Sequence, residues 1–138
     1  MIKYRKRARN TQECHVVLKV SPILHKKFLE AGKVYIDLRR RPVEDQSPLI
    51  QCAKCLGYGH TKKICEEEKS RCSYCGKDSH DWDNCEDRKA RNPPTCFNCK
   101  AVSKPTSSLD TAHIAFSSEC TERHKWDNIA RSKISYLC

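Results

Sequence analysis

Cys52-x2-Cys55-x4-His60-x4-Cys65 returns twenty residues later as Cys72-x2-Cys75-x4-His80-x4-Cys85, with every interval identical. Two sets of four potential ligands at one spacing are hard to reach by chance. Zinc prefers four tetrahedral ligands drawn from thiolate sulfur and imidazole nitrogen, and three Cys with one His complete a closed structural site. The Cys-x2-Cys step lets two sulfurs of one tight turn reach the same ion, and the four-residue gaps let the chain fold back to finish the shell. Gly57 and Gly59 ease the turn before His60, while Gly76 and Ser79 hold comparable places before His80. Such a unit buries almost no core, so metal supplies its folding free energy, on the order of 10–16 kcal/mol.

A third, looser copy follows as Cys96-x2-Cys99, a polar insert over 100–112, and His113-x6-Cys120. Loop closure costs only ~0.6 kcal/mol per doubling of length, so the longer gap adds roughly 1 kcal/mol against a much larger metal contribution. The expected ligand set is Cys96, Cys99, His113 and Cys120, with His124 and Cys138 as competitors for its third or fourth position. Cys14, His15, His25 and Cys138 have no partners at metal spacing and read as ordinary strand, surface or tail residues. Three Zn²⁺ ions are therefore expected.

Composition agrees that burial alone cannot order this chain. Of its 138 residues 38% count as hydrophobic, but 11 of these are cysteines; without them about 30% remain, against roughly 45–50% apolar residues in ordinary domains. No run approaches a membrane span, and the opening Met-Ile-Lys-Tyr-Arg-Lys-Arg lacks the apolar segment of a secretory signal, so an intracellular protein of cytoplasm or nucleus is expected, without membrane partners. Reducing conditions there favour metal over disulfides. The 27 Lys and Arg against 17 Asp and Glu give a net charge of +10, a balance suited to polyanions. The excess is uneven: residues 1–50 hold 12 basic and 5 acidic side chains, residues 51–138 hold 15 and 12. Each Cys3His site with a dication adds −1 relative to neutral thiols, so filling three sites brings the total to about +7.

Outside the repeat, residues 1–12 read as a solvated basic arm carrying Lys3, Arg5, Lys6, Arg7 and Arg9. Residues 13–48 read as strand, helix, strand. Val16, Leu18 and Val20 alternate on one side, Ser21-Pro22 starts a helix with Leu24 and Phe28 on one face, Ala31-Gly32 stops it, and Val34, Ile36 and Leu38 alternate again. Arg39-Arg-Arg-Pro42 through Pro48 breaks regularity. Tandem knuckles at 49–87, a linker at 88–95, the extended third knuckle at 96–120 and a helix and tail at 121–138 complete the chain. The expected fold class is thus small zinc-stabilised modules, with little regular secondary structure over 49–120, behind a partial α/β segment. Trp126, Ile129, Ala130 and Ile134 at helical intervals suggest a short helix packing on the last metal unit.

A closed zinc site has no open position for Lewis-acid work, so no enzymatic activity is expected and function lies in the displayed surface. Tyr58, Tyr74, Trp82 and Phe97 are placed to stack on unpaired bases, while Lys54, Lys62, Lys63, Arg71 and Lys77 are placed to meet phosphates. Each aromatic has a competing role, packing on its own knuckle. The acidic run Glu66-Glu67-Glu68 moderates the expected affinity. A protein-binding adaptor is the alternative, and thiol redox at Cys-x2-Cys ranks third because each pair is followed by ligand-spaced His and Cys.

The segments Cys-Ala-Lys-Cys-Leu-Gly-Tyr-Gly-His (52–60), Cys-Ser-Tyr-Cys-Gly-Lys-Asp-Ser-His (72–80) and His-Ile-Ala-Phe-Ser-Ser-Glu-Cys (113–120) resemble the knuckles of the gag-like first-open-reading-frame proteins of arthropod non-LTR retrotransposons of the jockey and R1 type. His-Val-Val-Leu-Lys-Val-Ser-Pro through Val-Tyr-Ile-Asp-Leu is similar to the later half of the RRM-like domain that precedes the knuckles in that family. The resemblance implies single-stranded RNA or DNA as partner, packaging of the element's transcript, and no catalysis. It also implies that the strands at 14–20 and 34–38 flank a missing central strand, which makes 14–38 unstable alone or prone to self-association, and the chain a truncated, non-functional copy as one outcome.

Overall fold

The computed structural model describes residues 1–134; Cys138, expected as a tail residue or a competing ligand, lies outside them. The chain divides into two compact units, with Met1–Ser47 in the first and Pro48–Lys133 forming the second. No helix among the described residues is long and apolar enough to cross a membrane.

The first unit contains β1 (Ile2–Arg7), β2 (Cys14–Leu18), α1 (Pro22–Ala31), β3 (Lys33–Ile36) and β4 (Arg39–Pro42). The helix has the expected ends: Ser21 Oγ accepts from the Leu24 N–H at 3.4 Å, Pro22 occupies the first turn, and Gly32 closes it at φ 65° with its N–H donating to Phe28 O. Three expectations are corrected. The basic arm is a strand, β1, paired antiparallel with β2, and an Asn10 side chain accepting from the Gln12 N–H supports the turn between them. The alternation of Ile2 and Tyr4 with Lys3 and Arg5 is its only sequence signal, hidden by the charge run. Arg39–Pro42 is also a strand rather than a break, because Asp37, at φ 54°, lets β3 turn back on itself within two residues. Leu38 therefore stands at the turn tip, 98% exposed, instead of continuing the Val34 and Ile36 face.

The strands on either side of α1 belong to two separate two-stranded sheets, β1-β2 and β3-β4. This is not the single sheet implied by the RRM-like resemblance. The expected inward set is largely exposed: Val16, Leu18 and Ile36 face solvent, while Val17, Val20 and Val34 are half-buried. No side chain of residues 1–47 is buried. With so little apolar burial to offset chain entropy, backbone amides over 14–20 and 34–38 should exchange with solvent far faster in hydrogen-exchange measurements than those of the metal-bound turns, the hairpins opening locally while remaining the main pairing. Strong protection in a monomer would contradict this.

The second unit is built otherwise. Its buried side chains are mainly cysteines, Cys52, Cys72, Cys85, Cys96, Cys99 and Cys120, joined by Leu56 and Ala115. Regular structure is limited to 3-10 turns at Lys62–Ile64 and Trp82–Asn84, the short helices α2 (Glu86–Lys89) and α3 (Phe97–Val102), and α4 (Thr121–Ser132). The three knuckles are not strung as separate beads. One apolar cluster of Leu56, Cys96, Cys99, Ala115 and Cys120, with Phe97 and Leu109 against it, draws residues of the first knuckle into the third. The 88–95 stretch is likewise engaged, since the Thr95 N–H donates to Tyr74 O at 2.7 Å and the Tyr74 hydroxyl donates to Asn92 O at 2.6 Å.

Candidate metal centres

All three knuckles share one backbone scaffold. The N–H of the first cysteine donates to a carbonyl just ahead of the histidine: Cys52 to Gly57, Cys72 to Lys77, and Cys96 to Thr111, at 2.8–2.9 Å. The N–H four residues on, from Leu56, Gly76 and Lys100, returns to the carbonyl of that first cysteine at 2.8–3.0 Å. The last cysteine then donates three residues back, Cys65 to Lys62, Cys85 to Trp82, and Cys120 to Ser117. The third copy is thus the same turn with its insert looped out between α3 and His113. Cys96 is the N-cap of α3 and Cys99 lies in its first turn, which brings the two sulfurs to the same end of the helix.

This scaffold assembles three clusters, Cys52-Cys55-His60-Cys65, Cys72-Cys75-His80-Cys85 and Cys96-Cys99-His113-Cys120, in each of which the ligand atoms lie within 4.8 Å of one another. Neither His124 nor any other described residue takes a place in the third. A tetrahedron with ~2.3 Å metal–sulfur and ~2.05 Å metal–nitrogen bonds puts sulfurs about 3.8 Å apart and sulfur and nitrogen about 3.6 Å apart. The third cluster has Cys96 Sγ to Cys120 Sγ at 3.8 Å, Cys99 Sγ to Cys120 Sγ at 3.4 Å and Cys99 Sγ to His113 Nε2 at 3.5 Å. In the first two, Cys55 and Cys75 stand 3.3 Å from Nε2 of His60 and His80. All three clusters therefore fit a single four-coordinate ion.

Surrounding donors favour the ligating forms. Backbone N–H groups of Lys54, Gly57 and Arg123 point at the sulfurs of Cys52, Cys55 and Cys120 at 3.3–3.4 Å. Cys120 is also the N-cap of α4, its sulfur accepting from the Arg123 N–H. His80 Nδ1 lies 3.0 Å from Ser79 Oγ, which would accept the Nδ1 proton and orient the ring if Nε2 held a metal.

The protonation pattern shows what a cation would supply. Burial alone would raise the Cys52 thiol, but the N–H groups of Cys55 and Lys54, helped by the neighbouring thiols, outweigh it and bring it down to about 7. Burial pushes its partner Cys55 up to about 11, with Cys52 and Cys65 adding to the rise, and Cys75 likewise to about 11. Burial takes Cys99 up to about 12, assisted by Cys120 and Cys96. In the first two clusters one cysteine, Cys52 or Cys72, is drawn toward thiolate while its partner resists, and in the third burial raises both Cys96 and Cys99. A dication overcomes that resistance.

The structure distributes the nine residues singled out for nucleic acid unevenly. Tyr58 stacks on Trp126 of α4 with ring centroids 5.7 Å apart, and its hydroxyl accepts from Asn98 Nδ2 at 3.2 Å. Tyr74 meets Trp82 edge-on, leaving Trp82 37% exposed with the Arg88 guanidinium 5.1 Å from its ring centre. Arg71 lies 4.2 Å over the Phe97 ring, and Lys77 is paired with Asp87 at 3.0 Å. Lys62 and Lys63 are exposed on their 3-10 turn, and Lys54 is half-buried. Tyr58 and Tyr74 thus act largely as internal packing, while Trp82, Lys62 and Lys63 remain presented.

Sequence reasoning misses the residues that join the knuckles. Gln51 donates to Leu56 O and Ala115 O at 3.1 and 3.0 Å and accepts from Arg123 Nη1 at 2.6 Å. Asn98 also donates to Leu56 O at 2.9 Å. Across the second boundary, the Ala115 N–H donates to Ser73 O, and Gly76 lies so close to Phe97 that a Cβ there would sit 3.2 Å from Phe97 Cβ. Leu56 occupies the position of Gly76 in its repeat and shares the left-handed backbone, at φ 67°, although it is fully buried. No periodic pattern marks such long-range contacts. Compared with known proteins, the chain matches no family model, no curated protein and no solved structure.

Proposed function

We propose that the Pro48–Lys133 unit is held by three zinc ions and binds single-stranded nucleic acid, RNA or DNA. The observation that carries the zinc reading is the set of three four-donor clusters, each with three sulfurs and one imidazole nitrogen within 4.8 Å of one another. Cys52, Cys55, His60 and Cys65 hold the first ion, Cys72, Cys75, His80 and Cys85 the second, and Cys96, Cys99, His113 and Cys120 the third. Zinc would supply cohesion there, and the exposed surface would supply recognition. Four protein donors per ion leave no place for substrate, which favours a binding module over an enzyme.

Single strands are the better partner because their bases are free to stack. Trp82 beside Arg88 combines an exposed ring with a guanidinium, the chemistry that takes an unstacked base and its phosphate. Lys62 and Lys63 add exposed cations. Within this reading the resemblance to retrotransposon gag-like proteins suggests packaging of an element's own transcript.

Metal analysis should find three zinc equivalents per chain. Zinc-loaded protein should bind a single-stranded oligonucleotide more tightly than the matching duplex, lose that preference on chelation, and weaken as salt rises. Trp82→Ala should reduce affinity for single strands roughly tenfold. Equal affinity for duplex and single strand, or salt-insensitive binding unaffected by competitor RNA, would defeat the reading.

A further inference from the structure

Charge is divided between the two units in a way that metal loading sharpens. Residues 48–133 hold 15 basic and 12 acidic side chains, and residues 1–47 hold 12 and 5. Three Cys3His sites filled with dications subtract three charges from the +3 of the second unit, leaving it near neutrality. A neutral body attracts a polyanion weakly. The +7 of residues 1–47 is untouched by metal.

Part of that charge is organised on the β3-β4 hairpin. Tyr35 and Arg40 are directly opposed in the ladder, and opposed residues share a face; Lys33, two residues before Tyr35, shares it too. Tyr35 is 75% exposed, whereas Val34 on the other face is half-buried. Arg39 and Arg41 flank Arg40 on the same exposed strand. Among the described residues, no salt bridge engages Lys33 or any of these three arginines; the ion pairs of this unit are Lys26–Glu30 and His25–Asp45.

We infer that the β3-β4 hairpin, with Lys33, Tyr35 and Arg40 on its outer face and the exposed Arg39 and Arg41 on the other side of the same strand, is a second nucleic-acid contact surface that supplies much of the chain's phosphate binding. It rests on the reading that nucleic acid is the partner, but assigns the salt-sensitive grip to the zinc-free unit. An exposed ring between cations fits an unstacked base and the phosphates on either side of it. Arginine forks match phosphate oxygens in pairs; Arg40 presents one beside Tyr35, and Arg39 and Arg41, exposed on the other side of the strand, meet a flexible backbone that wraps its edge.

The test titrates the full-length, zinc-loaded chain against a labelled oligouridylate by fluorescence anisotropy across a potassium chloride series. In a K33Q/R39Q/R40Q/R41Q variant the slope of log affinity against log salt should become shallower by about 0.7 for each phosphate that the protein no longer neutralises. Y35A should weaken binding roughly tenfold at every salt concentration while keeping the slope. R40K, which retains charge, should keep the slope, separating charge from any effect on hairpin folding. A chelated parent chain that binds more weakly but keeps a steep slope also supports the assignment. If instead chelation changes nothing while the quadruple variant loses its slope, the zinc-unit reading fails and this one stands. A quadruple variant with the parent's slope and affinity overturns it, as does preferential binding of phosphatidylserine vesicles over the oligonucleotide.

Discussion

Cys99→Ser should cost the protein more than the ion it removes. The zinc contribution to one small module is on the order of 10–16 kcal/mol, far above what the few buried side chains here can replace. Cys99 is fully buried, faces Cys120 at 3.4 Å and His113 Nε2 at 3.5 Å, and belongs to the cluster that also encloses Leu56 of the first knuckle. Loosening the third site therefore removes the floor on which Leu56, Gln51 and Tyr58 rest. In cobalt titrations the variant should lose the third site's absorption and also bind the ion at the first site more weakly. Cys65→Ser is the contrast: Cys65 is half-buried and outside that cluster, so the second and third sites should keep their affinity. Unchanged first-site affinity in Cys99→Ser would show that the knuckles are independent. Acid acts in the same direction as the substitution. The ligating forms are thiolate and neutral imidazole, so protons compete with metal and occupancy falls as pH falls.

Leu56→Ala should be the most damaging change away from the ligands. Leu56 has no exposed surface, and large-to-small substitutions at such positions remove about 2–5 kcal/mol. Its φ of 67° is a conformation that costs a non-glycine residue roughly 1–2 kcal/mol, a strain offset by the buried side chain and by Gln51 and Asn98 donating to its carbonyl. Leu56→Gly relieves that strain and should fall between the parent and Leu56→Ala in thermal unfolding of the zinc-loaded chain. Gly76→Leu is not the mirror-image gain. The same left-handed backbone faces Phe97 there, 3.2 Å from any added Cβ, so the variant should be destabilised. A Leu56→Ala protein that melts with the parent would refute the role given to this side chain.

The ligands and Leu56 differ in how far the sequence reveals them. The twelve ligands are legible because metal geometry is local: a fixed ligand number and short reach translate directly into spacing. The helix from Pro22 to Ala31 is legible for a similar reason, its Ser21 and Gly32 caps being local bonds. β1 and β4 are not, because a charged strand shows itself only through its pairing partner, and the Asp37 turn that creates one of them carries no glycine. Tyr58 looks like a platform for bases in the sequence because its place in the knuckle is set by its neighbours along the chain, whereas the ring that covers it, Trp126, comes from a helix sixty-eight residues away.

By itself, then, the order of residues determined how many four-donor clusters form, which atoms build them and where the positive charge lies, since each depends on neighbours within a turn or two or on composition alone. Tertiary structure alone decided that the first and third clusters share one apolar interior through Leu56, Gln51 and Asn98, and which rings remain available to a partner. Those outcomes depend on side chains that meet only after the metal-bound turns have folded, and no periodicity in the chain records such a meeting.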